Sequence, residues 1–349
     1  MIRKMLIANR GEIAVRVIRA CREMGIETVA VYSTADKECL HVQLADRAVC
    51  IGPAPSAKSY LNKDTLITAA LCTGCDAVHP GVGFLSENAG FAREVEKAGM
   101  FWIGPKPDTI EMLGDKVRAR ETAQKSGLPI TPGSKGAITT KEQAAETAKE
   151  CGYPVIIKAA SGGGGKGMRI VWKEADLAEN LSIASSEAEA NFADGTVYIE
   201  KYLSDPRHVE LQVIGDGTGG VAILGERDCS VQRNHQKLIE ESPSQAVSDA
   251  MYDAMCTGAQ KLFSSLKYCG AGTIEFLVSG DQFYFMEVNA RVQVEHPVSE
   301  MVTGTDIIRE QISVCTGGKM TLPDGVVPIK GWAIEARINA RTPGLITNL

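Results

Sequence analysis

Two stretches of this chain combine residue types that can do chemistry. The first is "TIEFLVSGDQFYFMEVN", residues 273–289. A hairpin folded about Gly280–Gln282 pairs Ser279 with Phe283, Leu277 with Phe285 and Glu275 with Glu287, and puts Asn289 on the same face. Phe276, Val278, Tyr284, Met286 and Val288 then form the opposite, apolar face. Directly opposed carboxylates lie about 5 Å apart, and their repulsion is roughly 3 kcal/mol at an effective dielectric near 20. A divalent cation removes that repulsion. The all-oxygen set Glu275, Glu287 and Asn289 suits Mg²⁺ or Mn²⁺ and leaves positions for water and phosphate. A protonated glutamate or an arginine partner would instead leave the hairpin purely structural.

The second stretch is "KAASGGGGKGMRIV", residues 158–171. Gly162, Gly164 and Gly167 satisfy GxGxxG in form, but that motif needs a helix after it, and a β-rich segment follows. A Walker A loop fails because no Lys-Ser or Lys-Thr is present. A hairpin with an oversized glycine tip fits. Each glycine costs up to roughly 1 kcal/mol of backbone entropy, so the excess points to amides that approach a ligand and a tip that moves. Gly163, Gly164, Gly165, Lys166, Gly167 and Met168 form the ligand-facing part, with Lys158 at the base; a loose surface loop is the alternative. Flap and acidic hairpin together describe a nucleoside triphosphate site between two lobes.

The elements that must position these groups follow from pattern. At 349 residues, two or three lobes are expected. The net charge is −6 with no basic block, which argues against nucleic acid as the main partner. "MIRKMLIANRGEIAV" lacks an apolar core for a signal peptide and nothing approaches a membrane span, so a cytoplasmic protein is expected. The ten cysteines read as reduced, buried thiols; Cys72 and Cys75 have CxxC spacing but no second pair to complete a zinc site.

Residues 1–113 alternate strands and helices, which implies a parallel sheet covered on both faces. This lobe has no GxGxxG after its first strand. Residues 114–130 read as a connecting helix and linker, and 131–203 as a compact α+β lobe around the glycine run. Residues 204–349 read as a strand-rich central lobe of antiparallel meanders. The fold class is therefore mixed α/β and α+β. If residues 287–295 stay extended, Glu287, Asn289, Arg291, Gln293 and Glu295 share one side.

"ANRGEIAVRVIRAC", "HPGVGFLSEN", "ERDCSVQRNHQKLIEESP" and "EVNARVQVEHPVSEMVTG" carry a further signal. With them the chain resembles the ATP-grasp superfamily and, within it, the biotin carboxylases, over essentially its whole length. The resemblance implies an N-terminal Rossmann-like lobe, a mobile ATP-grasp lid and a central lobe. It implies that ATP and bicarbonate form carboxyphosphate, which carboxylates N1 of biotin on a carrier protein or domain. A carboxyltransferase component, a homodimer and two Mg²⁺ or Mn²⁺ ions belong to the same expectation, as does a place in acetyl-CoA carboxylase and fatty acid biosynthesis. By motif, Lys116, Lys158, Leu277 and the flap would contact nucleotide. Glu200, Lys201, Tyr202 and Leu203 would line the adenine pocket, and His208, Gln232 and His235 would surround ribose and phosphates. Glu275, Glu287 and Asn289 would hold the metals. Lys237, Arg291, Gln293 and Val294 would bind bicarbonate, with Lys237 and Arg291 as catalytic cations and Glu295 as general base. His79 and His296, each before a proline, read as structural.

Two departures stand out. Val82 occupies a position where the family carries an aromatic residue. The family pattern would continue for about another hundred residues, so an incomplete C-terminal lobe is expected, and neither Arg337 nor Arg341 falls at the position implied for an arginine on the biotin enolate. Another ATP-grasp ligase, such as a carbamoyl phosphate synthetase-like or purine-pathway enzyme, and a catalytically impaired ATP-binding fragment are the competing readings.

Overall fold

The computed structural model describes residues 2–134, 136–159, 168–192, 194–234 and 236–338. The N-terminal part runs β1 (Lys4–Ile7), α1 (Gly11–Glu23), β2 (Glu27–Ser33), α2 (Leu40–Leu44), β3 (Arg47–Gly52), α3 (Lys63–Thr73), β4 (Ala77–His79), α4 (Ala89–Lys97) and β5 (Phe101–Trp102). Its sheet is parallel throughout, in the order β3-β2-β1-β4-β5. Helix α1 buries Ile13, Ala14, Val17, Ile18 and Cys21, the spacing of one helical face. Strand order reverses between β1 and β4, where α/β sheets open a crevice. Asn9 closes that point by donating from Nδ2 to the carbonyls of Pro80 and Val82, both at 2.7 Å. Gly81 sits against it at φ +65°, and a Cβ there would meet the Asn9 amide at 2.8 Å.

Helices α5 (Pro107–Gly114) and α6 (Lys116–Lys125) follow, broken at Asp115, whose side chain caps α6 by accepting from Val117 and Arg118 amides. The helix expected at the start of 114–130 is α6, whereas α5, which precedes it, was not expected. The lid contains α7 (Lys141–Cys151), β6 (Val155–Ala159), β7 (Met168–Val171), α8 (Leu177–Phe192) and β8 (Val197–Lys201). Its antiparallel sheet has the order β7-β6-β8, and it owns a separate core that includes Ala144, Ile157, Leu177, Ala184 and Ile199.

The remaining elements are β9 (Arg207–Asp216), β10 (Val221–Arg233), β11 (Gln236–Ser242), α9 (Asp249–Ser265), β12 (Cys269–Ser279), β13 (Gln282–Asn289), α10 (His296–Thr303), α11 (Ile307–Cys315), β14 (Gly325–Val326) and β15 (Ala333–Ala336). The sheet order is β13-β12-β9-β10-β11-β15, antiparallel along this path, with β14 parallel to β10. The meanders expected here exist, but α9, α10 and α11 also lie in this stretch. Met255, Leu262 and Phe263 of α9 join the core under β9, and α11 packs against β12. Strand-rich flanks had masked these helices.

The hairpin register needs a correction. It turns in two residues, Gly280 (φ +58°) and Asp281, so Ser279 faces Gln282, Leu277 faces Tyr284 and Phe276 faces Phe285. A register shift between Glu275 and Phe276 then absorbs one residue of β13 and restores the Glu275–Glu287 pair, with Thr273 opposite Asn289. Phe283 and Phe285, rather than Tyr284 and Met286, therefore join Phe276; the Phe276 and Phe283 rings meet edge to face at 5.6 Å. All ten cysteines are free, but only Cys21, Cys75, Cys229 and Cys256 are buried, fewer than expected. Among the described residues no helix is long and apolar enough to cross a membrane.

Candidate functional site

Four adjacent strands carry one lateral row of charge. Glu287 of β13 faces Glu275 of β12, Glu275 faces Glu210 of β9, and Glu210 faces Arg227 of β10. Arg227 is fully buried and saturated: Nε donates to Glu210 at 2.7 Å, Nη1 to Gln212 and Ser299 at 2.8 and 2.9 Å, and Nη2 to Gln293 at 3.0 Å. Sequence reasoning missed Glu210 and Arg227. Their signals were present, as polar residues alternating with apolar ones in "VELQV" and as a charged triplet, Glu226 to Asp228, inside an otherwise apolar strand.

Lys237 of β11 closes the row. Its ammonium donates to Glu210 at 2.6 Å, Glu275 at 3.0 Å and Glu295 at 2.7 Å. Burial disfavours the ammonium, yet the surrounding carboxylates raise its pKa far above the usual lysine range. Burial also opposes the charge on Glu295, but Lys237 and Arg227 outweigh it and hold that carboxyl below its ordinary value. Glu275 likewise overcomes burial and lies well below the carboxylate range, held by the His208 hydrogen bond and the charge of Lys237. Gln232 donates to His208 Nδ1 at 2.8 Å, so Nε2 carries the proton and donates to Glu275 Oε2 at 2.8 Å. Asn289 and Gln293 amides also donate to Glu275, at 2.8 and 3.0 Å.

Glu287 is treated differently. It accepts no hydrogen bond from a described residue, and burial followed by the Glu275 charge pushes its carboxyl up, with Lys116 partly opposing. Lys116, Glu87, Glu287 and Asn289 line a cavity of about 240 Å³. The donor set fits a hard cation: among the described residues Glu287 has both oxygens unshared, and Glu275 Oε2 accepts only from His208. Ligand atoms also converge within 4.8 Å in His208, Glu210 and Glu275, and in Glu210, Cys229 and Glu295, but the Lys237 ammonium already joins the carboxylates of both groups.

The segment after β13 is not extended. Residues 290–295 form an irregular turn into α10, so the expected alternation through Glu295 does not hold. Gln293 and Glu295 reach the row, whereas Arg291 swings to Glu87 at 2.9 Å and to Asn289 Oδ1 at 3.1 Å. Glu87 also accepts from the Ala290 amide, tying this turn to the N-terminal lobe. Val294 lines a second cavity of about 710 Å³ together with Arg16, His296, Glu335 and Arg337. Burial, followed by the Glu295 charge, pushes the Glu240 carboxyl up to about 7, with Lys237 and, least, Arg337 opposing. Arg337, set aside by the sequence reading, is thus beside the site.

At the lid, Glu200 accepts from Lys158 at 2.6 Å and from Arg120 at 3.2 Å. Lys201 turns away and donates to the carbonyls of Gly152 and Tyr153. Tyr202 packs edge-on against Trp172 with centroids 5.8 Å apart, and Met168 is exposed. Leu277 lies cross-strand from His208. Gly163, Gly164, Gly165, Lys166, Gly167 and His235 lie outside the described residues. His79 and His296 are buried in the fold; burial pushes their rings down, to about 3 and about 4.

Residues 1–110 match the family model of the biotin carboxylase N-terminal domain, and residues 115–322 match that of the ATP-binding domain of the carbamoyl-phosphate synthase L chain. The chain is 54% identical over 345 residues to biotin carboxylase 1 of Bacillus subtilis, covering 98% of this chain and 77% of that protein. It is 50% identical over 344 residues to biotin carboxylase of Pseudomonas aeruginosa, again covering 98% and 77%. Among solved structures, the complex of Campylobacter jejuni biotin carboxylase with β,γ-ATP superposes with a TM-score of 0.87 at 48% identity, covering 97% of this chain and 76% of that one. The biotin carboxylase domain of a thermophilic 2-oxoglutarate carboxylase bound to bicarbonate gives 0.92 at 44% identity, covering 97% and 75%.

Proposed function

The chain belongs to the biotin carboxylase family, and from that premise we propose how its site works. The enzyme is an ATP-dependent carbon–nitrogen ligase that carboxylates biotin with bicarbonate. The observation that carries the reading is Lys237, whose one ammonium touches Glu210, Glu275 and Glu295 within 3.0 Å. It couples the acidic hairpin to the turn that precedes α10.

ATP lies between lid and central sheet. Lys158 and Glu200 sit at the lid base, with Lys201, Tyr202 and Leu203 lining the adenine pocket mainly through backbone. Lys116, the flap glycines, Lys166 and Met168 approach the phosphates; His208, Gln232, His235 and Leu277 flank the sugar and phosphates. Mg²⁺ or Mn²⁺, held by Glu275, Glu287 and Asn289, would neutralise phosphate charge. Lys237, Arg291, Gln293 and Val294 hold bicarbonate. Holding two anions together needs such fixed cations in a water-poor pocket. A bicarbonate oxygen attacks the γ-phosphorus, ADP leaves, and carboxyphosphate forms. Glu295, kept ionised by Lys237 and Arg227, takes the bicarbonate proton. As carboxyphosphate breaks down, the departing phosphate takes the proton from biotin N1, and N1 bonds to the carboxyl carbon that phosphate releases.

The same reading places the protein in the cytoplasm, as a homodimer serving a biotin carrier protein or domain and a carboxyltransferase component. Acetyl-CoA carboxylase and fatty acid biosynthesis are its context. The residues divide into a Rossmann-like lobe (1–113), a linker (114–130), a lid (131–203) and a central lobe (204–349).

The test is Glu295→Gln. Bicarbonate-dependent ATP cleavage should fall by about 10²-fold or more, while the ATP dissociation constant, measured calorimetrically, changes less than about twofold. A parallel loss of ATP affinity would remove Glu295 from the role of base.

A further inference from the structure

Cys269 opens β12 and Cys315 ends α11, yet their sulfurs lie 3.8 Å apart. Both residues are partly exposed, and of the two thiols that of Cys269 is the less enclosed. Gly270 makes this approach possible: it adopts φ +90°, and a Cβ there would stand 3.1 Å from the Cys315 sulfur. Cys315 also reaches the Gly104 carbonyl at 3.7 Å, so the pair sits where the central sheet meets the N-terminal lobe. Neither cysteine belongs to a converging group of metal-ligating side chains among the described residues.

We propose that Cys269 and Cys315 form a reversible disulfide site, oxidised by exchange with a small-molecule disulfide. The sulfurs need to close by less than 2 Å to reach bonding distance of about 2.05 Å. Cys269 is the attacking thiol. The contact with Cys315 lowers its pKa, burial opposes that, and Lys106 assists; Cys315 is pushed up and keeps its proton. The Cys269 thiolate attacks one sulfur of the disulfide RSSR, expelling RS⁻ and leaving Cys269–S–SR. Cys315 then gives up its proton and attacks the Cys269 sulfur, expelling the second RS⁻. Two protein thiols are oxidised and one RSSR is reduced to two RSH. In a reducing compartment the bond is transient and follows the thiol pool.

The placement matters because the bond would bracket the acidic hairpin and the turn after it. Glu275, Glu287, Asn289, Arg291, Gln293 and Glu295 all lie between Cys269 and Cys315 in sequence. Oxidation would fasten both ends of that segment together, and constraining the unfolded chain in this way raises stability.

The experiment is peptide mapping of the folded full chain in glutathione buffers of graded GSSG:GSH ratio, with free thiols alkylated. The expected result is a linked Cys269–Cys315 peptide about 2 Da lighter than the sum of its reduced parts, forming at ratios where exposed Cys50 and Cys72 carry only glutathione adducts. It should revert on adding reductant. Cys315→Ala should trap glutathione on Cys269, and the oxidised wild-type chain should melt about 3–6 °C above the reduced one. Alkylation of both cysteines with no linked peptide at any ratio would overturn the proposal. So would a link that forms only in urea.

Discussion

Two of the glutamate pairs that face each other across strands of the central sheet, one on each side of it, are resolved in opposite ways. Glu275 and Glu287 pair between β12 and β13; Glu240 and Glu335 pair between β11 and β15. Around Glu275 the structure gathers His208, Lys237, Asn289 and Gln293 as donors, so that carboxyl stays ionised and Glu287 alone is pushed up. Glu240 and Glu335 receive no hydrogen bond from a described residue, and burial followed by mutual or neighbouring charge pushes both up to about 7. Opposed acids in a sheet therefore do not by themselves indicate a cation. In one pair, donors and a cation keep Glu275 ionised beside a raised Glu287; in the other, both carboxyls lack donors and both are pushed up. Repulsion raises the question, and the donor inventory answers it.

Removing the cation from the first pair should have the largest effect. Lys237→Met leaves Glu210, Glu275 and Glu295 together without their ammonium. Bicarbonate-dependent ATP cleavage should drop by about 10²–10³-fold, and unfolding in urea should show a loss of about 3–5 kcal/mol. An active, fully stable variant would mean that the row is held by Arg227 alone. Glu287→Gln comes next and should uncouple function from fold. ATP turnover at limiting Mg²⁺ should fall by about 10²-fold, whereas the melting temperature at pH 7 should stay level or rise slightly, because a repelled carboxyl has been neutralised. A marked drop in melting temperature would assign Glu287 to the scaffold.

The smallest effect belongs to the second pair. A carboxyl raised above its ordinary 4.5 binds a proton more tightly in the folded state. Its stabilising contribution is complete at low pH and is lost as the pH climbs from about 4.5 through 7. Glu240→Gln should flatten that decline and leave the variant more stable at pH 8, on the order of 1 kcal/mol once screening is allowed for. Urea titrations from pH 5 to 8 will show this; parallel curves for both proteins would rule out titration of the pair.

How much of this was legible in the sequence depended on whether a signal was local. The Glu275–Glu287 pair was found with a wrong turn and no bulge, because the two errors cancel and side-chain alternation constrains only parity. The strands of the parallel sheet were readable from short apolar runs. Helices α9, α10 and α11 were not, since β-rich neighbours dominated their windows. Arg227 and Glu210 were invisible as a site because their partners come from β9, β10, β11 and the turn before α10, contacts that only the folded sheet creates. Arg291 was placed beside Glu287 and Glu295 by an extended segment that in fact turns, and Glu87, which lies 29 residues before the start of α6 in another lobe, captures it instead.

The separate core of the lid has a consequence for how the molecule comes apart. Residues from Ile138 to Ile199 bury their side chains against one another rather than in the two larger clusters. Backbone pairing between Ile130 and Phe285, and the amide of Phe285 on the Pro129 carbonyl, anchors only its approach. A unit that completes its own interior can open without exposing its neighbour's, so the lid is a cooperative block with its own, lower opening free energy. Amides of β6 and β8 should then exchange with solvent together, ahead of those in β9 and β12. Nucleotide bound between the two blocks would raise the protection of the first toward that of the second, which makes the exchange gap a measure of how strongly the ligand joins them.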